Sequence, residues 1–165
     1  MMSLIVYSIL SVVTVICMVL LSIQDVKEKM IYSFPVMLLH LMWSFFIWLE
    51  MGYSNEFLVK YWMLHLIIYI LVNKLRIWGA GESDLLMLFC DCCLLSISKT
   101  NGYMFVIEEC IYLIYALITA ILVGKGDALF HKKKFKGDLE VALTPGFAVA
   151  VITSLVVGGF MRYAG

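Results

Sequence analysis

The sequence predicts an all-α membrane protein, a bundle of about six transmembrane helices forming one domain over residues 1–165. Composition is the first reason. The chain is 64% hydrophobic and 15% charged, against about 45–50% apolar and about 25% charged in an ordinary soluble domain. A water-soluble fold of this size cannot hide so much apolar surface, so the bilayer has to be the solvent. The second reason is that the apolar residues come in runs, several close to the ~20 that a crossing helix needs. They do not alternate with polar residues as barrel strands do. The third is the placement of the basic residues, which segregate on alternate loops.

The runs lie at 4–23, 32–49, 57–72, 85–97, 103–123 and 141–161. The first has no basic segment before it and no small-residue cleavage site, so it reads as a retained span rather than a signal peptide. The fourth is short for a crossing and is expected to begin several residues earlier. Six such segments leave short loops and no soluble domain. Of the twelve lysines and arginines, Lys60, Lys99 and Arg162 fall on one side; the other nine fall on the loops after the first, third and fifth runs. Basic residues are retained in the cytoplasm, which puts the N-terminus outside and these loops inside. Trp43, Trp48, Trp62 and Trp78 are expected mostly near span ends, as an interfacial belt.

The formal net charge is +0, so no overall field favours nucleic acid. The five cysteines sit in apolar stretches, and the run CDCC at 90–93 has no metal-ligand spacing. No metal and no cofactor is expected. Serine–histidine–acid, HExxH and phosphate-cradling patterns are missing from the sequence.

Acids at a membrane edge are costly and invite a reason. Asp25 follows the first run in SIQDVKEKMIYSFP; Glu82 and Asp84 precede the fourth in WGAGESDLLML. Both segments approach the same side, so their carboxyls share one depth. Two carboxyls that approach each other hold one proton between them. One can then activate water while the other protonates a carbonyl or a leaving amine. Gly79 and Gly81 would admit an extended substrate close to the backbone. The structural alternative is that Asp25 and Asp84 are headgroup-facing charges, with Asp84 favoured by the dipole of its helix.

At these residues the chain resembles the type IV prepilin peptidases and preflagellin peptidases, polytopic aspartic membrane proteases. Asp25 is followed by a basic stretch, with Ile31 at the matching offset and Tyr32 where proline is usual. Gly81-Glu82-Ser83-Asp84 fits the spacing of the family's small-residue motif ending in Asp, with Leu86 where a lysine is common. A second alignment, Gly79-Ala80-Gly81-Glu82, would give Glu82 that role. ALTPGFAVAV around Pro145 is similar to the family's entry to its last span. The resemblance implies an endopeptidase of the plasma membrane, active at the cytoplasmic face, with Asp25 and Asp84 catalytic. It implies as substrate a pilin-like precursor with a short leader before an apolar helix. The paired CxxC motifs of the bifunctional members do not occur, so a methyltransferase domain is not implied.

Asp91 lies seven residues after Asp84 on the same helical face. It is read as a structural, hydrogen-bonding acid, or as one that tunes the pair. Glu108 and Glu109 are expected at the solvated outer end of the fifth span, and His40 and His65 as packing histidines. The basic loop over 124–140 is expected to attract anionic lipid. The rival classes are a small proton- or cation-coupled transporter and an inactive relative with an assembly role.

Overall fold

The computed structural model describes residues 2–28, 30–50, 52–75, 79–96, 102–130 and 142–164. They form α1 (Met2–Glu28), α2 (Ser33–Glu50), α3 (Asn55–Lys74), α4 (Ala80–Ser96), α5 (Gly102–Phe130) and α6 (Thr144–Ala164). No strand occurs among the described residues. Five of these helices, all but α4, are long and apolar enough to cross a membrane. This is a membrane protein, and the all-helical expectation holds.

α4 begins at Ala80, ahead of its apolar run, as expected for a segment that looked too short. It carries Glu82, Asp84 and Asp91 within 17 residues, which an outward-facing helix in lipid does not tolerate. Its position explains them. Every residue from 83 to 96 is buried, because α4 packs against α2, α3 and α6, and α6 in turn against α1 and α5. The outer helices face away with apolar side chains: on α1, Ile5, Ile9, Val12, Ile16 and Leu20 recur at helical spacing and are all exposed. An apolar exterior around a central helix with acids suits lipid, not water.

α3 and α4 run antiparallel in a fixed register. The Tyr61 hydroxyl donates to the Cys90 carbonyl at 3.0 Å, and the Trp62 indole donates to Asp91 at 3.0 Å. Nearer the other end, the Ser83 hydroxyl donates to the Asn73 side-chain oxygen at 3.2 Å. α6 approaches α4 so closely at Gly158 that a Cβ there would lie 2.6 Å from the Leu95 carbonyl oxygen.

Three boundaries differ from expectation. α1 continues to Glu28, so Asp25 stands in its last turns rather than in a loop. α5 continues to Phe130, and α6 starts at Thr144. The tryptophans differ more. Trp43 is completely buried and donates to Thr14 Oγ1 at 2.9 Å, while Trp62 serves Asp91. Without water, an interior hydroxyl or carboxylate needs a donor, and an indole supplies one inside an apolar body. Trp48 is half exposed and donates to Asn55; Trp78 lies outside the described residues.

Candidate functional site

The C-terminal end of α1 and the N-terminal ends of α4 and α6 come together at one end of the bundle. Two contacts show it. The backbone N–H of Thr144, the first residue of α6, donates to Asp25 Oδ2 at 3.0 Å. A Cβ on Gly81, in the first turn of α4, would lie 2.6 Å from the Ile31 Cβ and 2.9 Å from the Ile31 carbonyl oxygen. Only glycine lets the segment after Asp25 lie against α4 in this way. Ile31 is six residues beyond Asp25 and Gly81 three before Asp84.

Asp25 and Asp84 are each 4% exposed. Asp25 does for α6 what an N-cap side chain does from within a helix: it takes an orphan N–H and sets a carboxylate at the positive end of the dipole. Pro145, next in sequence, has no N–H to satisfy. Thr144 is also completely buried, and its hydroxyl has no hydrogen-bond partner among the described residues. An unmade buried hydrogen bond costs about 1–3 kcal/mol. A polar guest beside Asp25 would recover it.

Asp84 and Asn73 both lie near the Tyr69 hydroxyl of α3. Asn73 in turn accepts from Ser83, so the start of α4 is stitched to the end of α3. Glu82 behaves differently. Its Oε2 accepts from the Gly79 backbone N–H at 2.8 Å, the reach-back half of a capping box, and its side chain is only partly buried.

Away from this end, two further acids lie inside the bundle. Asp91 is fully buried and takes His40 Nδ1 at 2.7 Å, the Ser44 hydroxyl at 2.9 Å and the Trp62 indole at 3.0 Å. Three donors from α2 and α3 occupy both its oxygens, which makes it the hydrogen-bonding acid that its position suggested. Glu109 corrects the expectation of a solvated residue. It is 15% exposed, lies 2.8 Å from His65 Nε2 and accepts from the Tyr61 hydroxyl at 3.0 Å. His40 and His65 are therefore carboxylate partners rather than simple packing residues. A weak signal for Glu109 was present: it precedes the buried Ala116 by seven residues, on the inward stripe of α5.

No family model, curated protein or solved structure matches this chain.

Proposed function

We propose that the chain is an aspartic endopeptidase of the plasma membrane, of the prepilin peptidase type, with Asp25 and Asp84 as its catalytic pair. The carrying observation is that both aspartates are buried at the end of the bundle where Ile31 rests on Gly81. This is the junction that the sequence motifs around the two acids would need. In this reading Thr144 steadies one oxygen of Asp25, the other oxygen holds a water, and the water also satisfies the Thr144 hydroxyl. Asp84 exchanges a proton with the scissile amide. One carboxyl works as base and the other as acid, with no covalent intermediate. Glu82, turned back to cap Gly79, has a structural role.

The basic-residue asymmetry supports a cytoplasmic position for this end. The substrate is a pilin-like precursor whose apolar helix lies beside the bundle and whose short leader is cut at the inner face. Asp25→Asn, Asp84→Asn and Glu82→Gln, each produced with the precursor in one membrane, test the reading. It expects uncut precursor with the first two, at normal insertion, and cut precursor with the third. Cleavage by Asp84→Asn but not by Glu82→Gln would transfer the second role to Glu82.

A second reading, a small proton- or cation-coupled transporter, is favoured by the two interior histidine–carboxylate pairs. Proton-coupled uptake into vesicles without any processing would support it. Neither uptake nor processing would leave the assembly role of an inactive relative.

A further inference from the structure

We propose that His65, Cys90 and Glu109 form a binding site for a divalent transition-metal ion of the zinc type, joining α3, α4 and α5. Their ligand atoms all lie within 4.8 Å of one another. His65 is 4% and Cys90 1% exposed, and the Glu109 side chain 15%, so the site is largely withdrawn from the surface.

The hydrogen bonding of His65 makes the case specific. Its Nδ1 lies 2.9 Å from the Tyr61 carbonyl oxygen. A carbonyl only accepts, so Nδ1 carries the hydrogen and Nε2 faces Glu109 Oε1 at 2.8 Å. An imidazole nitrogen lone pair and a carboxylate oxygen at that distance repel unless a cation lies between them. A proton fills the role, and so does a metal. The Cys90 sulfur, within 4.8 Å of both the imidazole nitrogen and the carboxylate oxygen, favours the metal. Imidazole, thiolate and carboxylate are the ligand types of zinc, and bonds of about 2.0–2.3 Å in a tetrahedron separate ligand atoms by about 3.3–3.6 Å. The 2.8 Å between His65 Nε2 and Glu109 Oε1 has to open to that spacing when an ion enters.

Charge balance is preserved. Without metal one proton lies between His65 Nε2 and Glu109 Oε1 and Cys90 is a thiol, so the group has no net charge. A divalent ion displaces the Nε2 proton and the thiol proton; imidazole, thiolate, carboxylate and ion again sum to zero. Two protons leave to solvent, and no oxidant or reductant is involved. A neutral group is the kind an apolar bundle holds cheaply. Tyr61 supplies the surrounding support from one residue, its carbonyl fixing the imidazole and its hydroxyl the carboxylate, as outer partners do in metal sites. The interior pair His40–Asp91 has no sulfur, and both aspartate oxygens are taken. The site has a mechanical role as well. α3 packs mainly on α4 and α5 mainly on α6, and the ion would tie α3 directly to α5.

The test is cobalt binding to the full chain, purified in detergent and stripped with a chelator. One Co²⁺ per chain is expected, with a thiolate-to-cobalt charge-transfer band in the near ultraviolet. About two protons should be released per ion, and Zn²⁺ should displace the cobalt. Cys90→Ser should abolish the band and Cys93→Ser should keep it. His65→Gln should weaken binding by at least about tenfold. Helical circular dichroism and elution volume identify variants that fail to fold; for those, proton release and the band in the unaltered chain stand as the readouts. The proposal is overturned by a folded chain that takes up no Co²⁺ or Zn²⁺ at micromolar concentration, by binding without proton release, or by a band that survives Cys90→Ser. None of these results bears on peptidase activity.

Discussion

The acids at the two levels of this bundle are treated in opposite ways. In the interior, Asp91 and Glu109 are surrounded: three side chains converge on Asp91, and Tyr61 and His65 on Glu109, with the Cys90 sulfur within 4.8 Å. At the end, Asp25 takes a single backbone N–H beside a buried threonine hydroxyl with no partner among the described residues, and Asp84 is buried at the start of α4. Saturated carboxylates hold helices together. Carboxylates with spare acceptor capacity at the same end as an orphan hydroxyl can still take a polar guest. Burial alone does not separate the two kinds; hydrogen-bond accounting does.

The contrast is broken most severely by removing the charge of the two aspartates proposed as catalytic. Asp25→Asn or Asp84→Asn should slow precursor cleavage by about 10²–10⁴-fold, with little change in the melting midpoint, since asparagine is isosteric and at position 25 can still accept from Thr144. Asp91→Leu should do the reverse, leaving the His40, Ser44 and Trp62 donors without an acceptor. A loss of about 3–5 kcal/mol, measured by unfolding in mixed detergent, is expected, with processing falling only in step with the folded fraction. Gly81→Ala acts on both levels: overpacking against Ile31 should cost about 1–3 kcal/mol and displace Asp84, lowering cleavage more than stability. Thr144→Val sharpens the comparison, because removing an unsatisfied hydroxyl should leave stability equal or raise it by about 1 kcal/mol, while cleavage drops. Glu82→Gln should be the mildest, losing about 0.3–1 kcal/mol of charge–dipole stabilisation and leaving cleavage within about fivefold of normal.

The helices were legible because a bilayer imposes long apolar runs, and even the early start of α4 was readable from the shortness of its run. Asp25, Asp84 and the glycines stood out because polar or small residues at a membrane edge are conspicuous. The interior was read less well. His40 with Asp91 and His65 with Glu109 are pairs between helices, and one sequence records spacing within a helix, not which faces meet. Glu109 looked solvated because Glu108 stands beside it and the pair falls near the start of α5. Trp43 and Trp62 looked interfacial for the same kind of reason, while their donors are used inside. Thr144 carried no signal apart from its place before Pro145.

The central claim, that Asp25 and Asp84 act as one unit on a peptide bond, is tested most directly by single-turnover cleavage of a leader-bearing precursor in liposomes. The full chain, both single Asn variants and the double variant are compared, with the new N-terminus read by mass spectrometry. Groups acting together are non-additive, so the account predicts that the double variant is no slower than the slower single one. A single variant that inserts normally and cuts at the original rate would contradict it.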